Sequence, residues 1–180
     1  WGSDILMNKS KPFLKMLLSR IVVSNRLITT DAKHMVSEVK ALGIKSPPMR
    51  LINFGVDIET FQLKKSTRLI EKKFRLQGDF RVISMRNFFP VYDVETLIRA
   101  SALVIKKRPC VHFYICGSGE QEQMLKLLVS QLQIEKNVHF LGFVSIDDLP
   151  ELLNSMDAYV STSKSDAGIA SSTAEAMSCG

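Results

Sequence analysis

From Phe80 onward, short apolar runs alternate with amphipathic segments of helix length, and that alternation leaves the chain very few folds. The runs are 81–84, Val111–Cys116, 138–140 and 158–160. Between them lie helical patterns at about Val94–Lys107, 120–132 and 146–155. Strands that are apolar on both faces need cover on both faces, and crossover helices of this length make neighbouring strands parallel. The spacing therefore predicts an α/β fold, a Rossmann-like parallel sheet with helices on both sides. Ser145-x-x-Asp148 reads as a capping-box-like start for the third helix.

Upstream the pattern is less regular. A helix is expected over 12–24, a short strand over 27–29, and a second helix opening at Thr30-Asp31. That helix should stop at Gly43, because Pro47-Pro48 follows and glycine then proline is a helix exit. A strand and turn are expected over 51–57. The change of texture near Arg50 suggests two parts, 1–50 and 51–180. The chain opens at Trp1-Gly-Ser-Asp4 and closes at Cys179-Gly180, where another strand would be expected, so both ends read as cuts through a larger protein.

Composition excludes several classes. No apolar run approaches the roughly 20 residues that a membrane span requires. Cys110, Cys116 and Cys179 form neither an even set nor a CxxC pair, so zinc and a disulfide framework are not expected; the three read as packing residues of a cytoplasmic protein. The formal charge of +6 gathers in clusters such as Lys9/Lys11/Lys15/Arg20 and Lys106/Lys107/Arg108. These read first as solvated helix faces, with an attraction for phosphorylated ligands or a peripheral contact with the inner membrane surface left open. No basic strand interleaved with aromatics points to nucleic acid. His34, His112 and His139 are scattered, and no Ser/His/Asp or Cys/His set can be assembled.

In parallel sheets ligands bind at the carboxyl ends of the strands. Three loops leave from those ends: 86–92, Gly117-Ser118-Gly119 and 161–170. The last runs through small hydroxyl and glycine residues into a helix carrying Glu175. A helix start offers unpaired N–H groups and a positive dipole end, and small residues let a phosphate approach. Asp166 and Glu175 are candidate acceptors for sugar or ribose hydroxyls. Arg86 follows the run Val82-Ile-Ser-Met85 and is suited to holding a diphosphate bidentately. Gly117 and Gly119 make only half of a dinucleotide fingerprint, since position 122 is Glu, and fit a mononucleotide phosphate or a tight turn better.

The stretch 51–180 resembles the donor half of retaining glycosyltransferases of the GT-B architecture, the large family-4 group. The resemblance rests on ordered blocks: Phe54-Gly-Val-Asp57 with Phe61, Ile83-Ser-Met-Arg86 with Asp93-Val-Glu-Thr-Leu-Ile98, Ile115-Cys-Gly-Ser-Gly119, Val138-His-Phe-Leu-Gly142-Phe-Val144, Asp157-Ala-Tyr-Val-Ser-Thr-Ser163, and Glu175-Ala-Met-Ser-Cys-Gly180. Residues 1–50 then resemble the tail of an acceptor-side domain.

The resemblance implies transfer of a sugar from a nucleotide-diphosphate sugar to a glycan or glycolipid acceptor, with retention and without a metal or other cofactor. Glu175 would bind the ribose, with Asp166 as its acidic partner. Backbone N–H groups of Gly168, Ile169, Ala170 and Ser171 would hold the distal phosphate and Arg86 would neutralise it. Phe143 and Val144 would meet the base. Three positions depart from the family pattern. Its usual lysine falls on Val91, its first glutamate on Ala167, and the asparagine before Gly-Val-Asp is Phe54. These departures keep two other readings open, a non-catalytic nucleotide-sugar-binding module and a GT-B sugar-nucleotide epimerase. This chain alone is not expected to turn over.

Overall fold

The computed structural model describes residues 11–43, 48–53, 55–166 and 168–180. Trp1, Gly2, Ser3, Asp4, Lys9, Pro47, Phe54 and Ala167, singled out above, lie outside the described residues. Those described divide into two units, one drawn from 1–55 and 165–171, the other from 56–164 and 172–180.

The first unit begins with α1 (Pro12–Val23). Proline stands at the first helical position, where its missing N–H would have had no partner anyway. Then come β1 (Ile28–Thr30), α2 (Lys33–Ala41) and β2 (Met49–Leu51). The strands pair in parallel with Ile28 opposite Met49, a geometry that needs the crossover α2 supplies. Val39 and Leu42 gather Leu18, Val22, Ile28 and Met49 into a small core. Gly43 ends the α2 segment in the left-handed region (φ +86°), as glycine after a helix does. The second strand lies earlier than expected; its last ladder bond runs from the Ile52 N–H to the Thr30 carbonyl.

The second unit holds α3 (Arg68–Lys73), β3 (Phe80–Met85), a 3₁₀ turn (Pro90–Tyr92), α4 (Val94–Lys107), β4 (Val111–Cys116), α5 (Glu122–Gln131), β5 (Val138–Gly142), α6 (Leu149–Leu153), β6 (Ala158–Tyr159) and, from Ser172 on, α7 (Ser171–Cys179). Its sheet runs β5-β4-β3-β6 and every pair is parallel. Alternate side chains go to opposite faces. Val82, Phe113, Ile115 and Val138 meet Leu97 and Ile98 of α4 and Leu125 and Leu128 of α5. On the other face Ile83, Tyr114 and Cys116 meet Ile70 of α3, Leu152 and Leu153 of α6, and Cys179 of α7. Each fully buried Leu or Ile in these layers contributes on the order of 1.5–3 kcal/mol. The expected α/β sheet is thus the one observed.

Local departures have local causes. Helix α3 was not expected: it is too short to show a period, and tertiary contacts hold it. Ile70 is buried, Glu71 pairs with Arg81 at 2.7 Å, and Lys73 pairs with Asp148 at 2.7 Å. Helix α6 is shorter than its pattern, and no capping box forms. The Ser145 hydroxyl donates to the Asp148 carboxylate, while the Ser145 carbonyl accepts the N–H groups of Asp148 and Leu149. Cys116 and Cys179 pack in the core as expected, but Cys110 is exposed; all three are free thiols.

Candidate donor site at the carboxyl ends of the second sheet

Strands β4 and β5 lie in succession on one side of β3, and β6 lies on the other. The chain leaving β3 enters α4 on one face, whereas the chain leaving β6 leads to α7 on the opposite face. Loops that part in this way open a crevice at the carboxyl ends of β3 and β6, which is where open α/β sheets bind ligands.

Arg86 stands at that crevice and is only 9% exposed. Its guanidinium carbon lies 4.3 Å from the Tyr92 ring centroid, a cation–π contact worth about 0.5–2 kcal/mol. One guanidinium nitrogen reaches the Ser172 hydroxyl at 3.4 Å. The Ser172 hydroxyl lies 3.1 Å from the Tyr159 hydroxyl, which accepts from Thr173 at 3.3 Å. Tyr92 is itself held from β6: the Thr162 hydroxyl donates to the carbonyls of Tyr92 and Asp93, and the Lys164 N–H to the Val91 carbonyl at 2.9 Å. The loop after β6 therefore positions the ring that positions Arg86.

Gly117 and Gly119 serve the same end. A side chain on Gly117 would lie 2.6 Å from the Arg86 carbonyl oxygen, and one on Gly119 would lie 2.7 Å from that of Phe88. The Phe88 N–H also bonds the Ser118 carbonyl, and the Gln121 N–H bonds that of Phe88. Absence of side chains thus lets the turn after β4 press against the backbone that presents Arg86. Beyond β5, Phe143 is 88% exposed, leaving its face open to stack, while Val144 packs toward the core.

Glu175 lies three residues after Ser172 on α7, so the two share a face. It is half-buried, makes no hydrogen bond or ion pair among the described residues, and burial pushes its carboxyl up from the ordinary glutamate value. Arg86, Gly117, Gly119, Phe143, Val144 and Glu175 thus all belong to the second unit. Asp166, Gly168, Ile169, Ala170 and Ser171 fall in the first unit's segment. There a side chain on Gly168 would press on the Asp31 carboxylate, which would have to turn aside. The sequence reading missed Tyr92, Tyr159, Thr162, Lys164 and Ser172. Aromatic and hydroxyl residues flanking an arginine in separate loops are the only signal it offered.

A second polar cluster lies near the amino ends of β4 and β5. His112 Nδ1 and His139 Nε2 are 2.9 Å apart, with ring planes within 7° and centroids 5.2 Å apart. The centroid separation exceeds the N···N distance by about one ring radius at each end. The rings therefore meet edge to edge in one plane, as an N–H···N hydrogen bond requires. The Tyr114 ring lies against His139, and its hydroxyl accepts the Gln77 N–H and donates to the Gln77 carbonyl. Burial holds both imidazoles below the ordinary histidine value, Arg81 adding to the effect on His112 and His112 to that on His139.

A model of the family described as glycosyl transferases group 1 matches residues 66–180. The chain belongs to that family. Among curated glycosyltransferases it is similar to the amylovoran biosynthesis glycosyltransferase AmsK of Erwinia amylovora, 22% identical over 99% of this chain and 44% of that protein. It is also similar to the putative glycosyltransferase EpsD of Bacillus subtilis, 27% identical over 74% of this chain and 37% of that one. The chain spans less than half the length of these relatives. Among solved structures, Anabaena HepE in complex with UDP-glucose superposes with a TM-score of 0.82 at 20% identity, over 99% of this chain and 50% of HepE. The sucrose-phosphate synthase of Thermosynechococcus elongatus gives 0.81 at 17% identity, over 100% of this chain and 47% of the synthase. At such identities the likeness shows a shared fold, the expected GT-B type. No helix among the described residues is long and apolar enough to cross a membrane.

Proposed function

We propose that the second unit binds the nucleotide-diphosphate sugar of a retaining, family-4-type glycosyl transfer. The observation that carries this reading is the buried guanidinium of Arg86 at the crevice, backed by Tyr92 and Ser172. A cation held rigid before the ligand arrives stabilises a diphosphate without reorganising during reaction. Glu175 takes the ribose hydroxyls and Phe143 stacks on the base. In the transfer, the bond from the anomeric carbon to the phosphate oxygen breaks as the acceptor oxygen bonds the same carbon from the same face. The acceptor's proton passes to the departing diphosphate. The protein then supplies positioning and charge stabilisation instead of a base.

Amylovoran biosynthesis by AmsK and the monoacylated phosphatidylinositol monomannoside named for the similar Corynebacterium glutamicum mannosyltransferase favour a polysaccharide or glycolipid acceptor. Ligand-detected NMR of the chain with UDP, GDP, ADP and CDP, repeated on Glu175→Ala, tests the site. One nucleotide should bind and lose its affinity in the variant. Undiminished binding by the variant would remove Glu175 from the site.

A further inference from the structure

The donor reading leaves a charge to be met, because a bound diphosphate carries more negative charge than one guanidinium offsets. The second unit is rich in cations, yet few are placed to help. Arg81 and Lys136 stand near the amino ends of strands. Lys73, Arg99 and Lys126 pair with acids along or between helices. In the loops that leave the carboxyl ends of β3, β4, β5 and β6, the sequence places just two cations, Arg86 and Lys164.

Lys164 is anchored for the task. Its N–H bonds the Val91 carbonyl at 2.9 Å, so its backbone lies beside the turn that carries Tyr92 and, through it, Arg86. Its ammonium is two-thirds exposed and, among the described residues, is paired with the Asp93 carboxylate at 3.1 Å. An ion pair whose cation stands in solvent is weakly held on that side, and the lysine is easily exchanged. Asp93 keeps the Thr96 hydroxyl when the lysine leaves, so the exchange strands no charge.

We propose that Lys164 is the second cation of the diphosphate site, resting on Asp93 in the free protein and swinging by side-chain rotation alone onto the distal phosphate. This inference rests on the donor reading above and names a residue that reading does not use. It also gives Val91 a role: the position on the facing turn needs no charge of its own, because the lysine arrives from the loop after β6.

The test compares nucleoside diphosphates with the matching monophosphates (UDP and UMP, GDP and GMP, ADP and AMP, CDP and CMP) by titration calorimetry. Lys164→Gln should weaken the diphosphate about tenfold and leave the monophosphate unchanged, as loss of one charge-assisted contact implies. Adding Val91→Lys to that variant should restore most of the loss. Asp93→Asn should tighten the diphosphate a fewfold, and only while Lys164 is present. Should Lys164→Gln bind the diphosphate as the wild type does, while Arg86→Ala loses it, the role of Lys164 is overturned and the donor reading stands. If the wild type binds no nucleotide, both are overturned.

Discussion

The two ends of the second unit's sheet handle polar side chains in opposite ways. At the amino end, His112 bonds His139 through one ring nitrogen each, and the Tyr114 hydroxyl bonds both backbone groups of Gln77. At the carboxyl end, Glu175 has no partner among the described residues, Phe143 is bare, and the exposed Lys164 ammonium rests on the Asp93 carboxylate. Polar groups that meet one another within the fold hold it together, because removing one partner leaves the other unmet. Groups with unfilled capacity around one buried arginine are suited to receiving something from outside. Polar residues alone therefore do not mark a site; the surplus of unmet capacity does.

The largest contrast should come from Arg86→Ala. Loss of its charge-assisted bonds, about 1.5–3 kcal/mol in all, should weaken nucleotide binding by roughly ten- to a hundredfold. Calorimetry reads the affinity and a thermal melt confirms the fold. Tyr114→Phe should do the reverse. It strips the Gln77 N–H and carbonyl of their partner and should cost about 1–3 kcal/mol in a urea melt, with nucleotide affinity unchanged. If that variant lost nucleotide affinity, the two ends would not be separable.

The histidine pair gives a smaller effect with a definite sign. Both folded-state values lie below the unfolded 6.5, so the unfolded chain binds more protons in that window. Stability should therefore fall as pH drops from 7.5 through 6.5 and below, and His139→Gln should flatten the slope of melting temperature against pH.

The smallest effect belongs to Glu175. Its folded value is raised above the ordinary 4.5, so its contribution to stability declines as pH rises above that point. Glu175→Gln should melt slightly higher than the wild type at neutral pH while binding nucleotide more weakly. A variant that melted lower would show that the carboxylate is needed by the fold.

Much of this was legible in the residues. The bounds of α4 and β4 read from the apolar pattern are those observed, because both are long enough to show their period and both bury what the pattern marks. Helix α3 was not legible, since contacts across the unit such as Lys73 to Asp148 hold it, and the missing capping box was not, since Ser145 spends its hydroxyl on the Asp148 carboxylate. Arg86 was legible as a cation after an apolar strand. Its burial, its Tyr92 partner and the bracing glycines were not.

By itself, then, the sequence determined the α/β class, the parallel sense of the strands and the rim where their loops gather, because apolar periodicity and crossover length are local properties. The tertiary structure alone decided the order β5-β4-β3-β6, which sets the loop after β6 beside the turn after β3. Strand order is a long-range choice that no local pattern encodes. It is what brings Lys164 to Val91 and Ser172 to Arg86, from positions more than seventy residues away along the chain.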